Sequence, residues 1–386
     1  MLSTLSTRIA TPARLRWLLA FVLLVTLIAG LDPKGYRFRN EVAWIAPGPG
    51  LRFGKFGGVH TAPFLTSGEA AALNRAGFSM ETAFSLDRNT GGGYRFLVSF
   101  HAVEDRCQLV VGQWREQIIV MNGDDYSHRR GLPRIAADTS KCTTGNVLLT
   151  ITTGPGGTRL YLNGRESAVD PDLHLTLPVE QKNGRLIVGN SVHAGNPWRG
   201  DVLGFALYPR VLSPDQVLRH LSEWASQNSF SSGQLHDPFV LYAFDEGSGG
   251  TARDASAHHA DIEIPSRLVA LGRRAFAPIT RDINNMESFV KDVTVNVLGF
   301  IPFGFLLASL LRTSLRSNWK LALVTTAAGF LLSFVIELIQ AWMPSRDSSL
   351  LDLLMNTTGT LLGTLIVVLG CFLFRTPALE RALSNG

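Results

Sequence analysis

Four apolar runs, nearly free of charge, constrain this chain more than anything else in it. The first, Trp17 to Leu31 (WLLAFVLLVTLIAGL), follows Arg8, Arg14 and Arg16. The other three crowd the C-terminal part: Val293 to Leu311, Leu321 to Ala341 and Leu350 to Phe374. Each of these is long enough to cross about 30 Å of hydrocarbon as a helix. The first is slightly short, and Arg16 can snorkel to add a turn. A cleaved signal peptide has the same basic-then-apolar form, but the exit IAGLDP lacks a small-x-small site, so a retained anchor is expected. Charged residues make up 17% of the chain, below the roughly 25% of soluble domains, because they are scarce in these runs.

Charge placement orients the four expected spans. Arg8, Arg14 and Arg16, then Arg312, Arg316 and Lys320, then Arg375 and Arg381 all fall on one side, which the positive-inside tendency makes the cytoplasm. The long middle segment and the short loop from Trp342 to Ser349 then face outward. The formal net charge of +5 sits largely beside the spans, and no basic stripe interleaved with aromatics points to nucleic acid.

Polar residues inside the spans follow helical spacing. Asp292 and Asn296 are four apart; Ser333, Glu337 and Gln340 keep one face; Asp352, Asn356, Gly359 and Gly363 keep another. Gly359 and Gly363 form G-x-x-x-G, which permits close helix approach. Pro302 interrupts one backbone hydrogen bond, which membrane helices tolerate. Asp292, Glu337 and Asp352 all fall near the expected outer helix ends, with Arg346 and Asp347 in the short loop above them. Asp347 or Ser348 could cap the last helix. The cluster reads either as interhelical hydrogen-bond glue or as a site for a ligand or proton.

These residues carry a resemblance. DVTVNVLGFIPFGF, FVIELIQ and SRDSSLLDLLMNTTGTLLG resemble the VanZ-like family of small bacterial membrane proteins, named for a protein associated with resistance to the glycopeptide teicoplanin. The family pattern falls on Asn296, Pro302, Gly304, Glu337, Gln340, Asp352, Asn356 and Gly359. The resemblance implies a bundle in the bacterial cytoplasmic membrane with lipid as a partner and a link to envelope or antibiotic tolerance, but no settled reaction. The chain departs from the family in the long insert after the first span.

Within that insert, residues 35–275, the pattern changes to short alternating segments. Phe78, Met80, Thr82, Phe84 and Leu86 alternate with Ser79, Glu81, Ala83 and Ser85, as in a strand half buried in a sheet. Similar runs are Tyr94 to Phe100, Gln108 to Trp114, Gln117 to Asn122, Asn146 to Thr153 and Arg185 to Asn190. Asn163-Gly164 predicts a tight hairpin. Ser213, Pro214 and Gln216 predict the start of a short amphipathic helix bearing Leu218, Leu221 and Trp224. An antiparallel sandwich follows from this spacing. FSMETAFSL, TRLYLNGRE, LIVGNS and WRGDVLGFALYPRVLSPDQV resemble laminin-G-like, concanavalin-A-like jelly-roll domains, which bind glycans or proteins, sometimes with calcium. FVLYAFDEGSGGTARDASAHHADIEIP belongs early in such domains, so its late position implies a rearranged edge or a separate strand pair.

The expected fold class is thus a membrane α-helical bundle of four spans plus an all-β sandwich. Its divisions are a cytoplasmic N-terminus and first span (1–34), the sandwich (35–275), a linker (276–291), the three-helix VanZ-like segment (292–375) and a cytoplasmic tail (376–386). The function expected is binding of an envelope glycan or protein by the sandwich, or direct action of the bundle on a lipid-linked or amphiphilic envelope molecule. No nucleophile motif, phosphate loop or zinc spacing supports an enzyme. Trp198 and Arg199 could form a sugar-stacking platform or, equally, Trp198 could be core. Asp245, Glu246, Asp254 and Asp261 with His258 and His259 read as a turn rather than a metal site. His101 shows no partner at this level. Cys107 and Cys142 could pair as a disulfide in an oxidising compartment, and Cys371 lies in an apolar run.

Overall fold

The computed structural model describes residues 11–31, 39–86, 93–140, 142, 145–227, 237–272, 275–277, 279, 286–343 and 348–383. They divide into two compact units: residues 37–272, and the two chain ends, 1–36 with 273–386.

The first unit is a sandwich of two antiparallel sheets. One runs β1 (Val42–Trp44), β2 (Leu51–Phe53), β13 (Gly200–Tyr208), β4 (Phe78–Ser85), β9 (Asn146–Gly154), β10 (Gly157–Leu162) and β11 (Arg165–Asp170), with β14 (Val240–Tyr242) also on β13. The other runs β15 (Thr251–Ala252), β16 (Ile262–Glu263), β3 (Val59–Thr61), β12 (Arg185–Val188), β5 (Arg95–His101), β6 (Leu109–Trp114), β7 (Gln117–Asn122) and β8 (Arg134–Asp138). Inward side chains such as Leu97, Val111, Ile118, Leu149, Leu186 and Phe205 form the core between them. Asn163 and Gly164 both take positive φ, 48° and 73°, and turn β10 into β11 as a two-residue hairpin. The late segment supplies the rearranged edge: β16 pairs with β3 through Ile262 and Thr61, and β14 pairs with β13.

β4 corrects the alternation reading, because Phe78 through Phe84 are buried on both faces. The outer face is covered by a helix over Pro214–Gln227, begun by Ser213, whose backbone N–H donates to Gln216 while its hydroxyl accepts from the Gln216 backbone. Its Val217 packs on Ala83, Tyr208 and Leu241 of the sheet. Glu81 lies in this second layer, fully satisfied. Its carboxylate accepts from Thr150 Oγ1 at 2.9 Å and Tyr208 at 3.0 Å, and stands 2.8 Å from His220 Nδ1 on the helix.

The disulfide expectation fails: Cys107 and Cys142 are not bonded to each other. Cys107 precedes β6 while Cys142 follows β8, and these strands run parallel with β7 between them. The thiols therefore sit at opposite ends of strands of five or six residues, roughly 20 Å of sheet, far beyond bridging distance.

The second unit is a bundle of four helices long and apolar enough to span a membrane: α1 (Pro12–Leu31), α4 (Met286–Leu311), α5 (Asn318–Gln340) and α6 (Leu350–Leu383), numbered after α2 (Ser67–Ala76) and α3 (Pro214–Gln227) of the sandwich. Glycine sets how closely α4 and α6 approach. A Cβ on Gly359 would stand 2.3 Å from Val297 O, one on Gly363 2.2 Å from Ile301 O, and one on Gly304 2.1 Å from Thr360 O. α4 continues through Pro302. α1 lays Leu19, Val22, Leu23 and Leu27 against Phe300, Phe303 and Ile336.

Candidate functional site

In the bundle, the polar faces meet at the end where α1 finishes and α6 begins. Asn296 Nδ2 on α4 donates to Asp352 Oδ1 on α6 at 2.6 Å, and Asn356 Nδ2 donates to Ser333 Oγ on α5 at 3.0 Å. Gln340 Nε2 donates to Gly30 O of α1 at 2.7 Å. Glu337, only 1% exposed, accepts from the Ser349 backbone N–H at 2.8 Å. Ser349 is also the cap of α6, its Oγ accepting from Leu351 N at 3.0 Å, whereas Ser348 Oγ accepts from Phe276 N. Ala277 completes this corner with backbone bonds to Ser348 and Leu350. Arg346 and Asp347 lie outside the described residues.

These groups surround a cavity of about 330 Å³, lined by Asp292, Asn296, Glu337, Gln340, Asp352 and Asn356 together with Lys291 and the α1 segment from Val25 to Gly30. Spacing along the three helices predicted that each of the pairs Asp292/Asn296, Glu337/Gln340 and Asp352/Asn356 shares a face. Their closure around a cavity is a property of the packed bundle.

In the sandwich, Trp198 and Arg199 do not form a platform. Trp198 is fully buried; its Nε1 donates to Gln113 Oε1 at 3.0 Å and its ring meets Phe53 and Phe84 edge-on. Gly200, with φ 136°, leaves room for that ring, since a Cβ there would stand 2.8 Å from Trp198 Cη2. The acidic stretch organises its own turn: Asp254 accepts from the backbone N–H groups of Leu241, Ser256 and Ala260, and Asp261 accepts from Asp254 N. Its carboxylate is thus occupied by N–H donors rather than arranged for a cation. His101 has a partner after all, with its Nε2 3.1 Å from Asp105 Oδ1, and His193 Nε2 approaches the same carboxylate at 3.0 Å.

A different pocket emerges on the outer face of β5 to β8. A cavity of about 590 Å³ is lined by Tyr94, Trp114, Gln117, Ile119, Tyr126, His128 and Arg134, among others. Tyr94 and Tyr126 stack at 5.5 Å, and Phe96 meets both edge-on. Tyr94 lies flat on the sheet because residue 112 is glycine; a Cβ there would stand 2.4 Å from its ring. Burial pushes the Tyr94 phenol well above its ordinary range, so it stays a donor, to Ile119 O at 2.9 Å. Trp114 is 36% exposed, with the Arg115 guanidinium 4.8 Å over its ring. Arg134 donates from Nη2 to Asp125 O at 3.0 Å, and its Nε is buried with no hydrogen-bond partner among the described residues.

Asp125 fixes the loop that carries Tyr126 and His128 over this pocket, accepting backbone bonds from Arg129, Arg130 and Leu132. Burial works to raise its carboxyl. The Leu132 and Arg130 N–H groups, with the Arg130 guanidinium, outweigh that and hold it below the usual carboxylate range. None of the pocket residues was singled out from sequence. The usable signal was alternation: Phe96, Val110, Ile119 and Met121 are apolar at positions facing away from the core, marking a covered outer face.

Comparison with known proteins follows the same division. Residues 247–374 match the family model VanZ/LLP1, and residues 61–218 match the model of the concanavalin A-like lectin/glucanases superfamily. The first match begins within the late segment, so it includes β15 and β16, which pair into the sandwich. No curated protein matches the chain. Among similar solved structures, the Ruminococcus gnavus IT-sialidase CBM40 bound to alpha2,3 sialyllactose is 11% identical, with 44% of this chain and 95% of that one covered at a TM-score of 0.33. A putative carbohydrate binding protein from Bacteroides ovatus is 11% identical, with 59% and 58% covered at 0.36. A Trypanosoma rangeli sialidase is 16% identical, with 47% and 28% covered at 0.36. The chain spans less than two thirds of the length of the latter two.

Proposed function

Because the chain is a VanZ-like membrane protein with an inserted concanavalin A-like, laminin-G-like domain, we propose that it is an envelope receptor whose sandwich binds a glycan outside the cytoplasmic membrane. The observation that carries this reading is the pocket over β5 to β8. It pairs a half-open Trp114 and the stacked Tyr94 and Tyr126 with Gln117, His128 and Arg134, whose Nε has no hydrogen-bond partner among the described residues. Aromatic faces take the apolar side of a sugar ring, while guanidinium and amide donors fix its hydroxyl or carboxylate oxygens. The outward placement rests on the arginines beside the spans.

The test is binding of the full-length protein in detergent to a panel of bacterial envelope polysaccharides. Trp114→Ala and Arg134→Ala are each expected to weaken the bound member about tenfold or more, the effect of roughly 1.4 kcal/mol. Trp114 is partly exposed, so its removal leaves the fold standing. A panel with no binder, or binding indifferent to both substitutions, would overturn the reading.

A further inference from the structure

The bundle cavity has a chemical bias of its own, independent of the glycan reading. Gln340 is 7% exposed and Asn356 4%, and both line the cavity. Yet Gln340 Oε1 and Asn356 Oδ1 have no hydrogen-bond partner among the described residues. The Gln340 orientation is fixed by chemistry, since Gly30 O can only accept and so the amide nitrogen must face it. Buried carbonyl oxygens without donors are costly, and in hydrocarbon no bulk water relieves them. What would satisfy them is a group rich in N–H or O–H donors.

The remaining lining narrows the choice. Glu337, Asp352 and Asp292 add carboxylates, all acceptors, while Lys291 sits exposed at the rim as the one cation among the described lining residues. One wall is apolar and faces outward: Val25 of α1 is 47% exposed and Val295 of α4 59%. A cavity of about 330 Å³ falls at the small end of ligand sites, suited to a headgroup rather than a whole amphiphile.

We propose that this cavity holds the headgroup of an aminophospholipid from the bilayer, with the ammonium among Gln340, Asn356 and the neighbouring carboxylates, the phosphate at Lys291, and the tails along Val25 and Val295. An ammonium brings three N–H donors and a positive charge together. A quaternary choline brings the charge without the donors, and a glycerol headgroup brings donors without the charge.

That difference is the experiment. The full-length protein is reconstituted in vesicles of phosphatidylethanolamine, phosphatidylcholine and phosphatidylglycerol in equal parts with identical acyl chains, then extracted in mild detergent and weighed by native mass spectrometry. One retained phosphatidylethanolamine is expected, favoured about tenfold over either competitor. Gln340→Leu is expected to erase the preference. Should Gln340→Leu fail to give folded protein, Lys291→Gln at the exposed rim serves instead and is expected to lower total lipid retained without moving the thermal midpoint. Retention in the vesicle ratio, a preference for either competitor, no retained lipid, or an unaffected Gln340→Leu or Lys291→Gln protein would each overturn the proposal. None of these outcomes bears on glycan binding, which is read at the other unit.

Discussion

The two units bury polar side chains in opposite ways. In the sandwich, Glu81 is enclosed and every neighbour is a donor: Thr150, Tyr208 and His220. In the bundle, Gln340 and Asn356 are also buried, and each keeps a carbonyl oxygen with no donor among the described residues. A closed network holds a fold together, here pinning α3 to β4. An open one stores unsatisfied bonding capacity, which is how a binding site differs from a structural contact.

The contrast breaks most readily at Glu81. Glu81→Ala strands the Tyr208 hydroxyl and the His220 ring beneath α3, and is expected to destabilise the sandwich by about 3–5 kcal/mol, the cost of breaking a buried polar pair. Denaturant unfolding followed by tryptophan fluorescence measures it. A loss below about 1 kcal/mol would mean the network is ornamental and the distinction between the units empty.

Asn356→Leu sharpens the same contrast from the other side. It removes an equally buried residue, but one that gives up a single bond to Ser333 while also discarding an orphan oxygen. The expected cost is about 1 kcal/mol or less by thermal melting in detergent. A cost matching that of Glu81 would show Asn356 to be glue, the other reading of the polar faces.

How much of this was legible beforehand tracks the physics. Transmembrane helices announce themselves locally, because twenty apolar residues in a row have few alternatives. The polar cluster was legible for the same reason: Glu337 and Gln340, or Asp352 and Asn356, share a face by helical spacing alone. Whether those faces enclosed a cavity depended on backbone approach at Gly304, Gly359 and Gly363, which is tertiary. In the sandwich, Tyr94, Trp114 and Tyr126 come from different strands and a loop, so their convergence is set by register that a linear reading does not contain. β4 misled because alternation reports side-chain direction and not what covers the second face. Trp198 misled because an aromatic beside an arginine looks like a platform, and only the packing, with Gly200 making room for its ring, shows that it points inward.

The smallest expected effect lies at the loop over the sandwich pocket. Asp125 has its carboxyl held below the usual range in the folded protein. Its ionised form therefore favours the fold above the unfolded carboxylate value, about 3.9, and that contribution is lost as pH falls through the lower folded value. Near-UV circular dichroism of the stacked tyrosines, titrated from neutral into strong acid, is expected to show a late step that Asp125→Asn removes. A step at or above the ordinary carboxylate range would contradict the assignment.

The glycine contacts between α4 and α6 carry one more consequence. Backbone meets backbone there with no side chain between, at Val297, Ile301 and Thr360, so these two helices have no slack to slide or spread. α1 is joined to the rest by interdigitated apolar side chains and by bonds such as that from Gln340 to Gly30. The α4–α6 pair is thus a rigid frame with α1 hung beside it as a panel, and the cavity widens more easily on the side that α1 closes than between α4 and α6.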